Sequence, residues 1–206
     1  MHATRAARPR REEYAEATHE ALLDSASGSF FEYGFTGTSL DLVAQRARVT
    51  KGAIYHHFSS KRDLFLAVLE RQQAASARSV AEAGAQAITA WEGIVAAFDA
   101  FLETISDPVY QRLCWVEGPA GLGFEAWWAF GERYEIGVIR SQLHRAAASG
   151  ILEVKDVDML AQVLFGAVTA GVLGMVRADD PMLERERFRS VMLEMIAGLV
   201  RFDPPA

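Results

Sequence analysis

Cysteine is almost absent from this chain, and its scarcity excludes two classes of structure. Cys114 is the only cysteine among 206 residues, so no disulfide can form within the chain and no cysteine cluster can bind a metal. Residues 1–11 contain no apolar run like that of a signal peptide. The longest apolar stretch, near residues 163–176, is shorter than the ~20 residues that a membrane span requires. We therefore expect a cytoplasmic protein.

An excess of positive charge is also lacking. The formal net charge is −6, which argues against a protein that coats nucleic acid over its whole surface. The charge is unevenly distributed, however: residues 1–62 carry nine Lys/Arg against seven Asp/Glu, whereas residues 63–206 carry twelve against twenty. Residues 45–62 contain five basic side chains and no acid. This window indicates a local surface for phosphates, although short charge runs are more often merely solvated.

Strand-like alternation is rare, whereas helical periodicity extends along most of the chain. Half of the residues are hydrophobic, which is enough to form a packed core. Leu22, Ala26 and Phe30 recur at four-residue intervals, and Gly34 stands where a helix would end in the left-handed conformation. The first helix is therefore predicted to end at Gly34.

Capping patterns predict the starts of the next helices. Residues 38–41 (TSLD) and 60–63 (SKRD) both fit an S/T-x-x-D pattern, in which the first hydroxyl accepts a hydrogen bond from an orphan backbone N–H. Thr38, Thr50 and Ser60 are thus the predicted N-caps of the second, third and fourth helices.

Longer helices are expected in the rest of the chain. Asp107-Pro108 predicts a helix start and Gly118-Pro119 a helix end, and further long helices are expected at residues 124–149, 156–177 and 183–201. The predicted fold class is all-α, with a three-helix helix-turn-helix head over residues 1–62, a connecting fourth helix over 60–83, and a larger helical body over 84–206.

The second and third helices form a helix-turn-helix candidate, joined by residues 46–49. On a wheel of the third helix, Ile54 and Phe58 fall on one side and are expected to point inward. The opposite side holds Gly52 and His56, with Ala53 and Tyr55 beside them. A small, polar and basic face of this kind suits a helix that enters the major groove of DNA.

Three segments carry a resemblance to a known family: residues 34–40 (GFTGTSL), 43–44 (VA) and 49–58 (VTKGAIYHHF), followed by Lys61. Together they resemble the signature of TetR-type transcriptional regulators. The resemblance implies phosphate contacts from Ser39, Thr50, Lys51, Tyr55 and Lys61, and base contacts from Gly52, Ala53 and His56. It also implies that the protein binds double-stranded DNA.

Two positions depart from the family pattern. Arg48 occupies a turn position where family members usually have glycine, so the turn is looser or Arg48 reaches a phosphate. Asp41 stands where many relatives have a basic residue, and it would repel DNA unless it only caps a helix. Two readings also stay open for His57, which either packs or contacts phosphate, and for an arm with Arg5, Arg8, Arg10 and Arg11, which either enters a minor groove or is solvated.

The body is rich in large aromatic side chains. The family resemblance implies a cavity there, and an apolar cavity with few polar groups would suit a flat or apolar small molecule. An ordinary core is the alternative for any single residue. The predicted ligand-binding residues are Trp91, Phe98, Trp115, Phe124, Trp127 and Trp128, with Arg112, Glu117 or His144 as candidate polar groups.

Small residues recur at every fourth position of the penultimate helix, at Gly166, Ala170 and Gly174. Such a strip lets another helix approach closely, either within the chain or across a two-fold axis. The family resemblance places a dimer seam on the last two helices, so these three residues are the predicted homodimer interface.

We therefore expect a homodimeric repressor that a small apolar or aromatic ligand releases from a palindromic operator. A ligand-independent regulator or an activator with the same fold is the first alternative. A small-molecule-binding protein or enzyme that retains the head is the second, but the chain contains no nucleophile elbow, P-loop, dinucleotide loop or metal-spaced His/Glu set. Cys114 and His144 could form a thiolate–imidazole pair, yet a lone cysteine is usually a small core residue. No enzyme activity, metal or cofactor is expected.

Overall fold

The computed structural model describes residues 10–200, with side chains from Tyr14 onward. The chain forms two compact units, Met1–Glu70 and Arg71–Ala206. Arg5 and Arg8 of the predicted DNA-contacting arm lie outside the described residues, as do the side chains of Arg10 and Arg11. The described part is all-α, as predicted; its only β-type pairing is an isolated bridge between Leu152 and Val200.

The first unit consists of three helices and the beginning of a fourth. Their bounds are α1 (Arg10–Gly37), α2 (Leu40–Arg46), α3 (Lys51–His57) and α4 (Lys61–Gln86). The four-residue stripe of α1 is buried as predicted, since Leu22, Ala26 and Phe30 are all inaccessible to solvent. The Phe30 ring meets the ring of Phe65 edge-on, with centroids 4.7 Å apart. This aromatic contact joins α1 to the start of α4.

The connection from α1 to α2 differs from its prediction in two respects. Gly34 has a positive φ of 71° but an extended ψ of 174°, and helical geometry resumes after it as far as Gly37. The N-cap of α2 is Ser39, whose hydroxyl accepts from the Leu42 N–H, so the prediction of Thr38 as the cap is wrong. Thr38 is instead buried, and its hydroxyl donates to the carbonyls of Ser29 and Gly34. These contacts satisfy the buried hydroxyl of Thr38 itself.

The other two predicted caps of the first unit are confirmed. Thr50 is extended and its hydroxyl accepts from the Ala53 N–H at the start of α3, and Ser60 accepts from the Asp63 N–H at the start of α4. Between α2 and α3, Arg48 adopts a φ of 57°. This is the left-handed conformation that favours glycine, and here an arginine occupies it.

The second unit contains the rest of α4 and five further helices. α5 is Ala90–Ser106, and α6 comprises Pro108–Tyr110, a π-helical stretch Gln111–Glu117, and Gly118–Leu122. α7 comprises Phe124–Gly131, a π-helical stretch Glu132–Ile136, and Gly137–Ala148. α8 is Val157–Arg177 and α9 is Pro181–Ala197.

Local signals explain most of these boundaries. Asp107 caps α6 by accepting from the Tyr110 N–H, with Pro108 at the first helical position, as predicted. The predicted end at Gly118-Pro119 is wrong, because both residues stay helical and α6 ends only at Gly123, which has a φ of 82°. Pro119 is tolerated because it sits in a first turn after the π-helical stretch, where its missing N–H breaks no regular bond. α9 begins at Pro181, two residues before its predicted start.

α8 is long and apolar enough, by length and composition alone, to cross a membrane. Its packing explains much of this character. Leu164, Phe165, Val168 and Val172 are buried where α8 packs against α7 and α9. We therefore assign α8 to the core of the helical body.

The left-handed Arg48 should make the turn of the helix-turn-helix less stable than it could be. A non-glycine residue in the left-handed conformation lowers the free energy of unfolding by about 1–2 kcal/mol. Glycine removes this strain, but its greater freedom in the unfolded chain cancels part of the gain. Arg48→Gly should therefore stabilise the chain by about 0.5–1 kcal/mol in thermal or denaturant unfolding. Arg48→Ala keeps the Cβ and should give no such gain; equal stabilisation by both variants would assign the effect to the lost charge instead.

Candidate DNA-binding surface and ligand cavity

The burial of one residue fixes the outward face of α3. Ile54 is inaccessible to solvent and Phe58 nearly so, which confirms the predicted rotation of this helix. The side chains of Lys51, Tyr55 and His56 are consequently exposed. Because Tyr55 is half exposed with its ring outside the core, its hydroxyl is available to a partner.

Gly52 lies on the same outward face, and nothing inside the protein requires a glycine there. A Cβ added at Gly52 would meet only the Thr50 hydroxyl, at an ordinary 3.9 Å. Glycine in a helix is less favourable than alanine by about 1 kcal/mol. The absence of a side chain at Gly52 therefore has no internal structural benefit among the described residues, and it leaves the backbone of α3 open to close approach.

Both predicted phosphate-contacting lysines, Lys51 and Lys61, have partners within the first unit. Lys51 Nζ donates to Asp41 Oδ2 at 2.8 Å, and this contact raises the pKa of the Lys51 ammonium. Lys61 Nζ donates to the carbonyls of Phe35 and Thr36 at 2.7 and 3.3 Å and lies over the Phe35 ring. Asp41 is thus a partner for Lys51 in the first turn of α2 and not its N-cap.

The remaining predicted contact residues surround these lysines. Ser39 and Thr50 are exposed and use their hydroxyls as N-caps, and Ala53 is half-buried. His57 packs between His19 and Phe58, with ring centroids 5.6 Å and 6.4 Å away. Burial and the two neighbouring imidazoles lower the pKa of His57, so the packing interpretation of this residue is favoured.

The second unit encloses a cavity lined by α4, α5, α7, α8 and α9. It contains about 750 Å³ of space not filled by atoms, including the part open to solvent. Its walls are mostly aliphatic and aromatic, with Ser76, Glu135 and Gln142 as the polar exceptions. The apolar lining includes Val80, Ile94, Phe98, Phe101, Leu164 and Met192.

A smaller cavity of about 210 Å³, measured in the same way, lies beside it. Trp115, Trp127, Trp128 and Phe165 form its aromatic walls, with Gln73, Gly131 and Glu135 as the other lining residues. Glycine is required at 131, because a Cβ there would lie 2.7 Å from the Phe165 ring. Glu135 lines both cavities.

The six predicted ligand-binding residues are thus not brought together in one place. Phe98 lines the larger cavity and Trp115, Trp127 and Trp128 line the smaller one. Trp91 and Phe124 line neither of these two cavities, and Phe124 is exposed on the surface. The polar candidates behave similarly, since Arg112 pairs with Glu117 at 3.7 Å and His144 is exposed.

Glu135 is the functional candidate that the sequence analysis missed. Both of its carboxyl oxygens are buried without a hydrogen-bond partner among the described residues. Burial raises the pKa of Glu135 to about 7, an effect that the nearby Gln73 amide partly offsets. Its signal in the sequence is weak: Trp128, Glu135 and Gln142 are spaced by seven on α7, so an acid interrupts a stripe that faces inward.

The residues of the predicted dimer interface lie on an open face of α8. Added Cβ atoms at Gly166 and Gly174 would meet nothing within 4 Å, and Ala170 is exposed. Met159 and Val163 are exposed on the same helix, at 55% and 59% of their full accessible areas. Gly171 is different, because a Cβ there would overlap the Phe188 ring of α9.

Comparison with known proteins identifies the family. Residues 91–199 match the model of the tetracyclin repressor-like C-terminal domain, which is more than half of the chain, and residues 22–68 match that of bacterial regulatory proteins of the tetR family. The chain belongs to the TetR family. It is a helix-turn-helix protein that binds DNA and regulates transcription, as the sequence predicts.

Full-length relatives agree with this assignment. The chain is 28% identical to the HTH-type transcriptional regulator SrpR of Pseudomonas putida, over 93% of this chain and 88% of that protein. A TetR-family regulator from Pectobacterium atrosepticum has a TM-score of 0.79 at 25% identity, over 97% of this chain and 100% of the other. SmeT represses a multidrug efflux pump of Stenotrophomonas maltophilia. Its structure in complex with triclosan matches with a TM-score of 0.71 at 25% identity, over 91% of this chain and 93% of SmeT.

The raised pKa of Glu135 leads to a stability prediction whose sign is fixed. The folded chain binds this proton more tightly than the unfolded chain, for which the ordinary value is 4.5. The contribution of this bound proton to the free energy of unfolding is complete at acid pH and is lost as the pH rises through about 7. The glutamine of Glu135→Gln cannot ionise. The free energy of unfolding of this variant, minus that of the parent, should therefore increase between about pH 5 and pH 8, by up to ~3 kcal/mol.

Thermal unfolding of both proteins across this pH range measures the difference. Glu125→Gln is the matched control, because it removes an exposed acid from the same helix and leaves the buried carboxyl group of Glu135 in place. A Glu135→Gln difference that is equally independent of pH would mean that Glu135 does not titrate in this range.

Proposed function

We propose that this protein is a homodimeric repressor that leaves its operator when a small molecule fills the cavity of the second unit. DNA binding is assigned to the head over residues 1–62 and ligand binding and dimerisation to residues 84–206, with the connecting helix also contributing to the cavity wall. Regulation requires no catalysis, metal or cofactor, and a protein of this function acts in the cytoplasm, where the chromosome lies. The observation that carries the proposal is the exposed face of α3, held outward by buried Ile54.

The outward face of α3 has the composition that major-groove binding requires. Gly52 and Ala53 leave the helix narrow, and His56 presents ring nitrogens that can form hydrogen bonds with base edges. Tyr55 offers a hydroxyl to the phosphate backbone, as do Ser39 and Thr50 at two helix N-termini, where free N–H groups also favour an anion.

The lysines would exchange internal partners for phosphates. Lys51 and Asp41 are both largely exposed, at 65% and 60% of their side-chain areas, so their ion pair contributes little to stability. A phosphate oxygen can replace the Asp41 carboxylate at little cost, and the released counterions favour the exchange. Lys61 stays anchored to two carbonyls, which leaves one of the three N–H donors of its ammonium for a phosphate.

A second copy of the chain would cover the open face of α8. Gly166, Ala170 and Gly174 form a strip without bulky side chains, and Met159 and Val163 flank it as exposed apolar residues. On α9, which packs beside α8, Val191 is also exposed, at 62%. A continuous apolar face of this kind is typical of a protein–protein interface, and a two-fold dimer matches a palindromic operator.

The cavity supplies the site of control. SmeT, which shares this fold, is known in a complex with triclosan, a small molecule, and the proposal extends ligand binding to this chain. Ser76, Ala77 and Val80 of α4 line the cavity, and the same helix begins at Lys61 within the first unit. A ligand that displaces this wall would change the spacing of the two recognition helices, and by linkage it must bind free protein more tightly than operator-bound protein.

Lys51→Ala should weaken binding to all DNA sequences alike and lower the salt dependence of log K by about one unit, because one phosphate contact is lost. Asp41→Asn should strengthen binding, because it frees Lys51 from its internal partner. Gel shifts with the promoter region of the protein's own gene, over a salt series, measure both effects. Lys155→Ala, a lysine of the second unit, is the control; normal operator binding by Lys51→Ala at about 150 mM salt would refute the assigned contact.

The parent protein should sediment as a dimer at micromolar concentration, and Gly166→Phe should shift it toward monomer without unfolding it. The open space around Gly166 accommodates the ring in a single chain, whereas a closely packed partner helix would be displaced. Gly171→Ala is the matched comparison: it should lower the unfolding temperature, because its Cβ meets Phe188 within the chain. A parent that sediments as a stable monomer would rule out the seam on α8.

A further inference from the structure

Glu135 is shared between the two cavities of the second unit. Glu135 is a lining residue of both the larger aliphatic cavity and the smaller aromatic one. It belongs to the π-helical turn Glu132–Ile136 of α7. Such turns are rare and recur at functional sites, because the extra residue changes the direction of the side chains.

This carboxyl group has no charged partner in the free protein. Neither oxygen is accessible, neither has a hydrogen bond of good geometry among the described residues, and the only side chain that lowers its pKa is the uncharged Gln73. A buried acceptor without a donor is costly, and a buried charge without a counter-charge more so. Among the described side chains, none that lines either cavity is basic, so the protein itself supplies no cation for this acid.

The surroundings of Glu135 contain little else that titrates. From α6, Tyr110 and Cys114 interact with it, and burial raises the pKa of both groups well above their ordinary values, so both are neutral. From α4 it faces only the uncharged Gln73 and Ser76. The cavity-lining residues of α5, α8 and α9 are all apolar, and none of them titrates.

The smaller cavity adds aromatic walls around this unpaired acid. The rings of Trp115 and Trp127 are edge-on with centroids 5.6 Å apart, and Trp128 meets Phe165 at 4.9 Å. Of the roughly 210 Å³ not filled by atoms, the part that a molecule can occupy without overlapping these walls is about that of one water molecule. Tryptophan faces attract cations more strongly than the faces of other aromatic side chains do, and an ammonium group is of this size.

We propose that the effector is a lipophilic amine, bound as its ammonium ion with the charged head between Glu135 and the tryptophan walls and the apolar body in the larger cavity. This inference rests on the proposed function, since it names the ligand class of the same cavity. A protonated primary amine has three N–H donors for the two free oxygens. A ligand with a carboxylate head is excluded, because its charge would be repelled by Glu135 and no basic side chain lines the cavities to bind it.

A neutral alcohol is the main competitor. The indole N–H of Trp115 is also buried without a partner, so a hydroxyl could accept from Trp115 and donate to Glu135. It would leave the second oxygen unpaired and the carboxylate charge uncompensated. The amine is favoured because it neutralises that charge, and charge-assisted hydrogen bonds are the stronger kind.

The test compares phenylbutylamine, phenylbutanol and phenylbutyrate, which share one carbon skeleton and differ only in the polar head. Calorimetry with the full-length protein at about pH 8, above the pKa of Glu135, should show the amine binding about tenfold or more tighter than the alcohol, and the acid weakest. Gel shifts with the promoter region should show DNA release in the same order. The affinity for the amine should fall toward pH 6 as Glu135 takes up its proton.

Two variants locate the effect. Glu135→Gln should abolish both the preference for the amine and its dependence on pH, whereas the control Glu125→Gln should retain both. Ala97→Trp fills the larger cavity, whose wall includes Ala97, and should weaken all three probes together. Circular dichroism and sedimentation establish that each variant is folded before its affinities are compared.

The outcomes separate this inference from the function on which it rests. An alcohol or acid that binds as tightly as the amine, or an unchanged preference in Glu135→Gln, would overturn amine recognition while leaving the cavity as the effector site. Probes that still bind to folded Ala97→Trp would overturn both the amine site and the cavity assignment. No binding of any probe at millimolar concentration would also overturn amine recognition, and operator binding in the same gels would then support a ligand-independent regulator.

Discussion

The burial of Ile54 is the contact on which the DNA-binding surface depends. Ile54 is the one buried residue of α3, and together with the neighbouring buried Phe58 it fixes the rotation of this seven-residue helix. Because Ile54 and Phe58 point into the core, residues on the opposite side face outward as a set. Had the helix turned by one residue, Ile54 would take the place of Ala53 or Tyr55 and put a bulky aliphatic group beside Gly52 on the outward side. The hydrophobic effect thus selects the polar face without acting on it directly.

The head was largely predictable from the sequence because its signals are local. A cap acts over three residues and an apolar stripe over one or two turns. The sequence around them was therefore enough to assign Thr50 and Ser60 as N-caps and Ile54 to the core. Thr38 was misassigned for a non-local reason: its hydroxyl donates to the Ser29 carbonyl nine residues away, which leaves Ser39 to cap α2. The same holds for Gly118, where the π-helical stretch before it determines whether the helix continues.

The cavity was less predictable, because a cavity is a property of several helices at once. The concentration of tryptophan indicated an aromatic site, and three of the four tryptophans do lie around one small space. The larger space is bounded by small and aliphatic residues such as Ala97 and Val168, which look like ordinary core residues in a sequence. Glu135 could be recognised only from its surroundings, since an acid on a helix is ordinarily solvated and only the packing of other helices buries this one.

The two sites share a physical principle, which connects binding to regulation. Lys51 has an exposed partner and Glu135 only the uncharged Gln73, so in the proposed function each group gains a new counter-charge when its ligand binds. A ligand that pairs with a buried charge of this kind gains binding free energy of the same order as a typical allosteric coupling free energy, about 1–3 kcal/mol. Because α4 lines the cavity through Ser76 and Val80, the proposed mechanism uses part of that free energy to shift α4. A fully paired Glu135 would stabilise the free protein but would remove this source of coupling, so an unsatisfied acid in the core is consistent with selection for response over stability.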